Sequence, residues 1–205
     1  MSVYDELAAL GSATVHEAAG RMGVVDVPLI QVLPGSRAAG PARTVGCGQG
    51  DNLMVHAAMA ATETGDVLVL TMPDPQPVAL LGELLATQAK GRGAAAVLVD
   101  AAVRDVEELA ELGLPIWARY VRVSGATKEI PGEIDEPVVV GGATIQAGDA
   151  VVLDSDGVVV VPAERVEGVL AAARARAEKE REKRAKLEAG ALSYDLDGLR
   201  SLVEP

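Results

Sequence analysis

The chain has 205 residues, 49% of them apolar, and a formal net charge of -12. That length and apolar content favour a folded core over a disordered chain, and the negative charge argues against general nucleic-acid binding and against anionic membrane surfaces. A single cysteine, Cys47, excludes an intrachain disulfide and a thiolate zinc cluster within one chain.

The chain opens Met1-Ser2-Val3-Tyr4-Asp5-Glu6, without the basic start or apolar run of a signal peptide. No apolar stretch reaches the ~18 residues of a membrane span, so a cytoplasmic location is expected. Residues 4–23 read as two short helices, with Ser12 and Thr14 as N-cap oxygens and Gly23 as a stop. Pro28 and Pro34 bracket a short strand over 29–33, and a second extended run lies near 42–48. Asp51 then caps a helix through Ala61, and Gly65-Asp66 turns the chain into a buried strand over 67–70. A helix is expected over 82–91, starting at Gly82 and ended by Gly91 and Gly93. Another buried strand follows over 95–99, then a helix over 105–112. This alternation points to an α/β layer with parallel pairings.

From Pro115 the pattern changes to short strands over 116–120, 127–133, 137–140, 150–153 and 158–161. Gly141-Gly142, Ala147-Gly148-Asp149 and Asp156-Gly157 supply turns between them. Residues 163–189 read as one long helix. Val166, Val169, Leu170 and Ala173 stripe its first half, whereas the run Glu178-Lys179-Glu180-Arg181-Glu182-Lys183-Arg184 is charged on every face. Burial against its own domain cannot fix such a segment. It is either a solvated extension held by i,i+4 pairs or an arm crossing onto a neighbouring subunit, with 194–203 packing there too.

Glu83 and the pair Arg104-Asp105 stand out in an apolar, glycine-rich run, with twenty residues between Glu83 and Arg104. That gap is one helix plus one strand, so the two ends can meet. A carboxylate for a hard cation, an arginine for an oxyanion and a helix N-terminus for a carboxylate suit a small anionic keto acid. Gly82 would let the backbone come close to a ligand. Each residue also has a plain structural role open to it. Asp105 with Glu108 matches a capping box, Glu83 complements the dipole of the helix it opens, and Arg104 reads equally as a surface arginine. His56 is either a general base or a hydrogen-bonded core histidine. Two histidines against thirty Asp and Glu favour an oxygen-bound cation such as Mg²⁺ or Mn²⁺ over zinc.

Gly50-Asp51-Asn52-Leu53 with His56, Gly65-Asp66-Val67, Gly82-Glu83-Leu84-Leu85-Ala86-Thr87, Val103-Arg104-Asp105-Val106, Gly141-Gly142 and the stretch 148–162 occur in one order along the chain. In these motifs the chain resembles the RraA-like proteins, among them the class II 4-hydroxy-4-methyl-2-oxoglutarate / 4-carboxy-4-hydroxy-2-oxoadipate aldolases. The resemblance implies an α/β fold, an α/β/β swivelling-type catalytic domain over 1–162. It implies trimers or hexamers with sites between subunits, and a C-terminal helical arm over 163–205 packing on a neighbour. It also implies that Asp105 binds the divalent ion, that Glu83 holds metal-bound water and that Arg104 contacts the keto oxygen. The amides of Leu84 and Leu85 would hold the pyruvyl carboxylate. In the aldolase branch the long helix lends a glutamate to the neighbouring site. Glu180 is the best match, ahead of Glu178 and Glu182, and Glu17 is a further candidate across the interface. Aldolase members often carry Asp where this chain has Glu83, so the reach of that carboxylate differs. The activity implied is metal-assisted cleavage of a 4-hydroxy-2-keto acid to pyruvate and a second keto acid, with oxaloacetate decarboxylation on the side. The alternative is a non-enzymatic regulator that binds and inhibits a ribonuclease.

Overall fold

The computed structural model describes residues 2–204. Its first half comprises α1 Val3–Leu10, α2 Ser12–Ala18, β1 Ile30–Gln31, β2 Ala38–Gly46, α3 Leu53–Ala61, β3 Val67–Thr71, β4 Ala79–Leu81, α4 Glu83–Gly91, β5 Ala96–Val103 and α5 Val106–Leu112. The second half comprises β6 Ile116–Val121, β7 Glu133–Ile134, β8 Val138–Val140, β9 Ala143–Ile145, β10 Ala150–Leu153, β11 Val158–Val161, α6 Val166–Glu188, α7 Ser193–Leu196 and α8 Arg200–Val203.

β3 and β5 are buried along their whole length, as uninterrupted apolar runs must be when both faces of a parallel sheet are covered. β2, β3, β5 and β6 pair in parallel, with Ala42 opposite Val67, Val67 opposite Ala96 and Val97 opposite Ile116. β2 serves two layers. Its second half joins β3, while its first half pairs antiparallel with β10, Ala38 opposite Leu153. β10 in turn forms a hairpin with β11.

Three cores follow from these layers. α3, α4 and α5 cover one face of the parallel strands, burying Val55, Met59, Leu85, Ala86 and Leu109 against Leu68, Leu70, Val97 and Val99. The opposite face packs Val69, Leu98 and Trp117 onto Ile145, Val151, Leu153, Val158 and Val160. Beyond β10 and β11, the alternate residues Val152, Val159 and Val161 meet Leu7, Val15, Val166, Val169 and Leu170 of α1, α2 and α6. This is the α/β/β layering expected, with an outer helical layer added. The chain lacks Phe, and its one tryptophan, Trp117, is buried with its indole N–H donating to the Asp154 carbonyl at 3.0 Å.

Several local expectations change. Residues 127–133 do not form a strand; only β7 does, and Thr127 makes a lone bridge with Asp51. Pro131 has no N–H to give a ladder. β4, β9 and the extension of β5 to Val103 carry no distinct signal, being three-residue pieces or the far end of a longer run. Ser12 does not cap its own helix. The Asp154 carboxylate accepts from the Ser12 N–H at 2.7 Å and from its hydroxyl at 2.6 Å. α6 is buried only through Ala173. Beyond it, Lys183 pairs with Asp197, and Arg200 pairs with Asp195 and Glu204 and lies 4.8 Å from the Tyr194 ring centre. The first pair ties the tail to α6 and the others hold the tail together, leaving Leu192, Leu196, Leu199, Leu202 and Val203 exposed. No described helix is long and apolar enough to cross a membrane.

Candidate active site

β4 lies beside the end of β5 in parallel, Leu81 opposite Val103, and the Arg104 N–H donates to the Leu81 carbonyl at 3.1 Å. The residues that follow the two strand ends, Gly82 and Arg104-Asp105, therefore sit next to each other at the carboxyl edge of the parallel sheet. Open α/β sheets collect ligands at that edge.

Asp105 occupies the N-cap position of α5 but makes no capping bond, and its backbone is left-handed at φ 60, ψ 47. The capping-box expectation with Glu108 is thus overturned. Its Oδ2 accepts instead from the Glu83 N–H, the first amide of α4, at 3.0 Å. Arg104 Nε is 3.7 Å from the same oxygen. Gly82 is extended (φ -136), so any residue could adopt its backbone. A Cβ there would lie 2.6 Å from Asp105 Oδ2 and 3.2 Å from Arg104 Nε, so a larger residue would displace these two side chains. On the other side, a Cβ on Gly125 would lie 2.8 Å from Arg104 Nη1. The guanidinium sits in a slot between two glycines.

These groups wall a cavity of about 160 Å³, together with Leu84, Leu85, Asn52, His56 and Lys128. Leu84 and Leu85 belong to the first turn of α4, where helix geometry leaves the amides without intrahelical acceptors. Of the residues singled out in the sequence, the cavity brings together Gly82, Leu84, Leu85, Arg104 and Asp105. It does not bring in the Glu83 carboxylate, which accepts from Thr87 Oγ1 at 2.8 Å along its own helix. Glu17 and Glu180 also lie elsewhere. They share Arg176 on the α2–α6 face, at 3.7 Å and 2.9 Å respectively.

Asn52 and Lys128 are wall residues that the sequence did not assign to a site, and His56, left open there between base and core, joins them. His56 is exposed, which corrects the core-histidine reading. Desolvation at the wall and then the Lys128 ammonium lower its pKa below the usual value. Lys128 is placed by Asp51, whose buried carboxylate accepts from Leu53 N–H at 2.8 Å and from Thr127 Oγ1 and Glu129 N–H at 2.6 Å each. Burial opposes ionisation of Asp51, but these bonds outweigh it and hold the pKa down to about 2. Cys47 offers no nucleophile, because burial pushes its thiol up to about 12.

Among the described residues no three His, Cys, Asp or Glu side chains form a closed metal cage. The cavity wall carries one carboxylate, Asp105, whose Oδ1 takes no hydrogen bond among the described residues, and a free carboxylate oxygen has the hard-donor chemistry of a Mg²⁺ or Mn²⁺ ligand. Such ions keep waters and take substrate oxygens. At this wall Asp105 is the residue that would hold such an ion.

The RraA-like family (Aldolase/RraA) matches residues 3–160. A Halalkalibacterium halodurans protein named "Putative 4-hydroxy-4-methyl-2-oxoglutarate aldolase" is 38% identical over 135 residues, 66% of this chain and 64% of that protein. The match therefore spans a little under two thirds of that relative's length. Among solved structures, an uncharacterized Pseudomonas syringae protein superposes with a TM-score of 0.83 at 26% identity, over 93% of this chain and 90% of that one. Streptomyces coelicolor RraAS2, described as an unusual member of the RNase ES inhibitor RraA protein family, superposes with a TM-score of 0.79 at 29% identity, over 89% of this chain and 95% of that one.

Proposed function

The chain belongs to the RraA-like family, and from that premise we propose that it is a divalent-metal-dependent carbon–carbon lyase. Its substrate is a 4-hydroxy-2-keto acid of the 4-hydroxy-4-methyl-2-oxoglutarate type, and its products are pyruvate and a second keto acid. One observation carries the reading. Asp105 has given up its helix cap and shares a cavity with Arg104 and the open amides of α4.

The roles follow from charge and position. The Leu84 and Leu85 amides take the substrate carboxylate at the positive end of the α4 dipole. Arg104 donates to the keto oxygen, which gains charge as the C3–C4 bond breaks and its electron pair enters the enolate. A fixed guanidinium there acts as an oxyanion stabiliser. Asp105 holds Mg²⁺ or Mn²⁺, and that ion supplies Lewis-acid polarisation of the keto group. The C4 hydroxyl loses its proton and becomes the carbonyl of the second keto acid, while C3 gains a proton to give pyruvate. Glu180, with Glu17 beside the same arginine, takes the hydroxyl proton if a second copy brings its α2–α6 face to the cavity. Within the chain, Glu83 would serve only after its carboxylate leaves Thr87 and turns into the cavity. Oxaloacetate would lose carbon dioxide through the same enolate. A homotrimer or hexamer is part of this reading.

A lactate-dehydrogenase-coupled pyruvate assay over a panel of 4-hydroxy-2-keto acids and oxaloacetate tests it, with Mg²⁺ and with EDTA. Pyruvate release that needs the metal, and that falls by orders of magnitude in a folded Arg104→Ala variant, is the expected result. Release unaffected by EDTA or by that variant overturns it. A regulator of a ribonuclease is the second reading. The likeness to RraAS2 covers 89% of this chain, more than 2–162 alone make up, so part of the arm is common to both. Stable capture of a ribonuclease, with no pyruvate from any keto acid, would favour the regulator.

A further inference from the structure

An arginine that stabilises an oxyanion has to be in place before the charge develops. Few polar contacts hold Arg104 there. Half of its side chain is exposed, and its one ion pair among the described residues runs from Nε to Asp105 Oδ2 at 3.7 Å, beyond hydrogen-bond reach. The guanidinium donors are therefore free for a ligand, but a free guanidinium on a long stem also has many rotamers open to it. What narrows them is contact with the two glycine walls, and the wall on the far side from Asp105 is Gly125.

That wall cannot retreat easily. The Arg122 N–H donates to the Val103 carbonyl of β5 at 3.0 Å, the Ala79 N–H of β4 donates to the Ser124 carbonyl at 2.8 Å, and the Thr127 N–H donates to the Gly50 carbonyl at 3.0 Å. Gly125 itself makes a parallel bridge with Ala79. Its backbone is outside the left-handed region, so conformation does not ask for glycine. The only atoms that a Cβ there would meet within 4 Å are Arg104 Nη1 at 2.8 Å and Arg104 Cζ at 3.8 Å. A methyl group at this position would thus move the guanidinium and leave the loop where it is. Gly82 differs, because a Cβ there would press on Asp105 Oδ2 as well.

We propose that Gly125 is a positioning residue for the cleavage reaction. Its bare backbone is the surface on which the Arg104 guanidinium rests, and it sets where Nη1 meets the keto oxygen. Gly125 acts through Arg104 alone and leaves the carboxylate that would hold the ion untouched. This inference rests on the aldolase reading above.

The test combines Gly125→Ala with Arg104→Lys, whose side chain has no Nη1. Two readouts are used, pyruvate formation and calorimetric binding of oxalate with Mg²⁺, oxalate having the planar oxygen edge of the pyruvate enolate. Gly125→Ala alone should lower kcat about 10- to 100-fold and weaken oxalate binding at least about fivefold. Its thermal midpoint and its affinity for Mg²⁺ alone should stay close to those of the unaltered protein. In the Arg104→Lys background the same substitution should change oxalate affinity by less than about twofold. Equal losses in both backgrounds would mean that Gly125 acts through some other group, and full activity in Gly125→Ala would mean that the guanidinium needs no such rest; either result overturns the proposal. If the unaltered protein forms no pyruvate and binds no oxalate, the aldolase reading itself fails and this inference falls with it.

Discussion

At the scale of single residues, Asp105 concentrates the tension between structure and chemistry. Its type and place, an acid at the start of a helix three residues before Glu108, are what a capping box requires. The backbone instead enters the left-handed region, which costs a side-chain-bearing residue about 1–2 kcal/mol and which Asp and Asn tolerate best. The carboxylate is thereby turned away from α5 and across to the first amide of α4. Asp105→Asn should keep both the backbone and that acceptor while removing the charge. We expect its thermal midpoint to stay close to that of the unaltered protein and Mg²⁺ binding by calorimetry to weaken at least tenfold. Undiminished Mg²⁺ affinity in that variant would exclude Asp105 as the ligand. The sequence made Arg104 and Asp105 legible as a pair, but not which way the carboxylate faces. That depends on a left-handed turn for which a non-glycine residue gives no clear mark. Asn52 and Lys128 were harder still, since each looks like an ordinary polar residue until the loop that carries it is placed.

At the scale of elements, the long buried runs were readable and the short pieces were not. β3 and the first half of β5 announce themselves as unbroken apolar strands. β4 has three residues and no pattern of its own, yet it is the element that sets Gly82 beside Arg104. The segment 127–129 is similar. It is part of the expected strand 127–133, but Asp51 holds it by hydrogen bonds from both sides of Lys128. An unfolded Asp titrates near ~3.9, whereas Asp51 in the fold titrates at about 2. Its bonds therefore contribute stability that is complete above about pH 4 and is lost as the pH falls towards about 2. Asp154 is lowered as well, so the Asp51 contribution has to be isolated by difference. Asp51→Asn should be less stable than the unaltered protein to urea at about pH 6, with the gap closing at about pH 2 to 3. A gap that stays constant across that range would mean that the charged form is not what the loop recognises.

At the scale of the whole molecule, the question is what the second half of α6 is for. Its first half belongs to the third core through Val166, Val169, Leu170 and Ala173. Past that point none of its described residues is buried, and the tail presents a row of exposed leucines. Isolated apolar residues need no explanation, but a contiguous set on one arm marks a surface that meets something else. Glu180 and Glu17 lie on the same face, joined through Arg176 and apart from the Arg104 cavity. If each site takes Arg104 from one chain and Glu180 from the next, two inactive variants can repair each other. Arg104→Ala and Glu180→Gln should each release little pyruvate alone. When co-expressed in equal amounts, random mixing in a closed ring places an intact Arg104 opposite an intact Glu180 in about a quarter of the sites. Pyruvate release should recover to about that fraction of the unaltered rate. No mechanism within one chain yields that recovery, because every protomer then carries one of the two lesions. A mixture as inactive as its components would confine the site to a single chain and put the proton acceptor within it. A fully active Glu180→Gln variant would instead remove the arm from the chemistry and leave it a role in assembly alone.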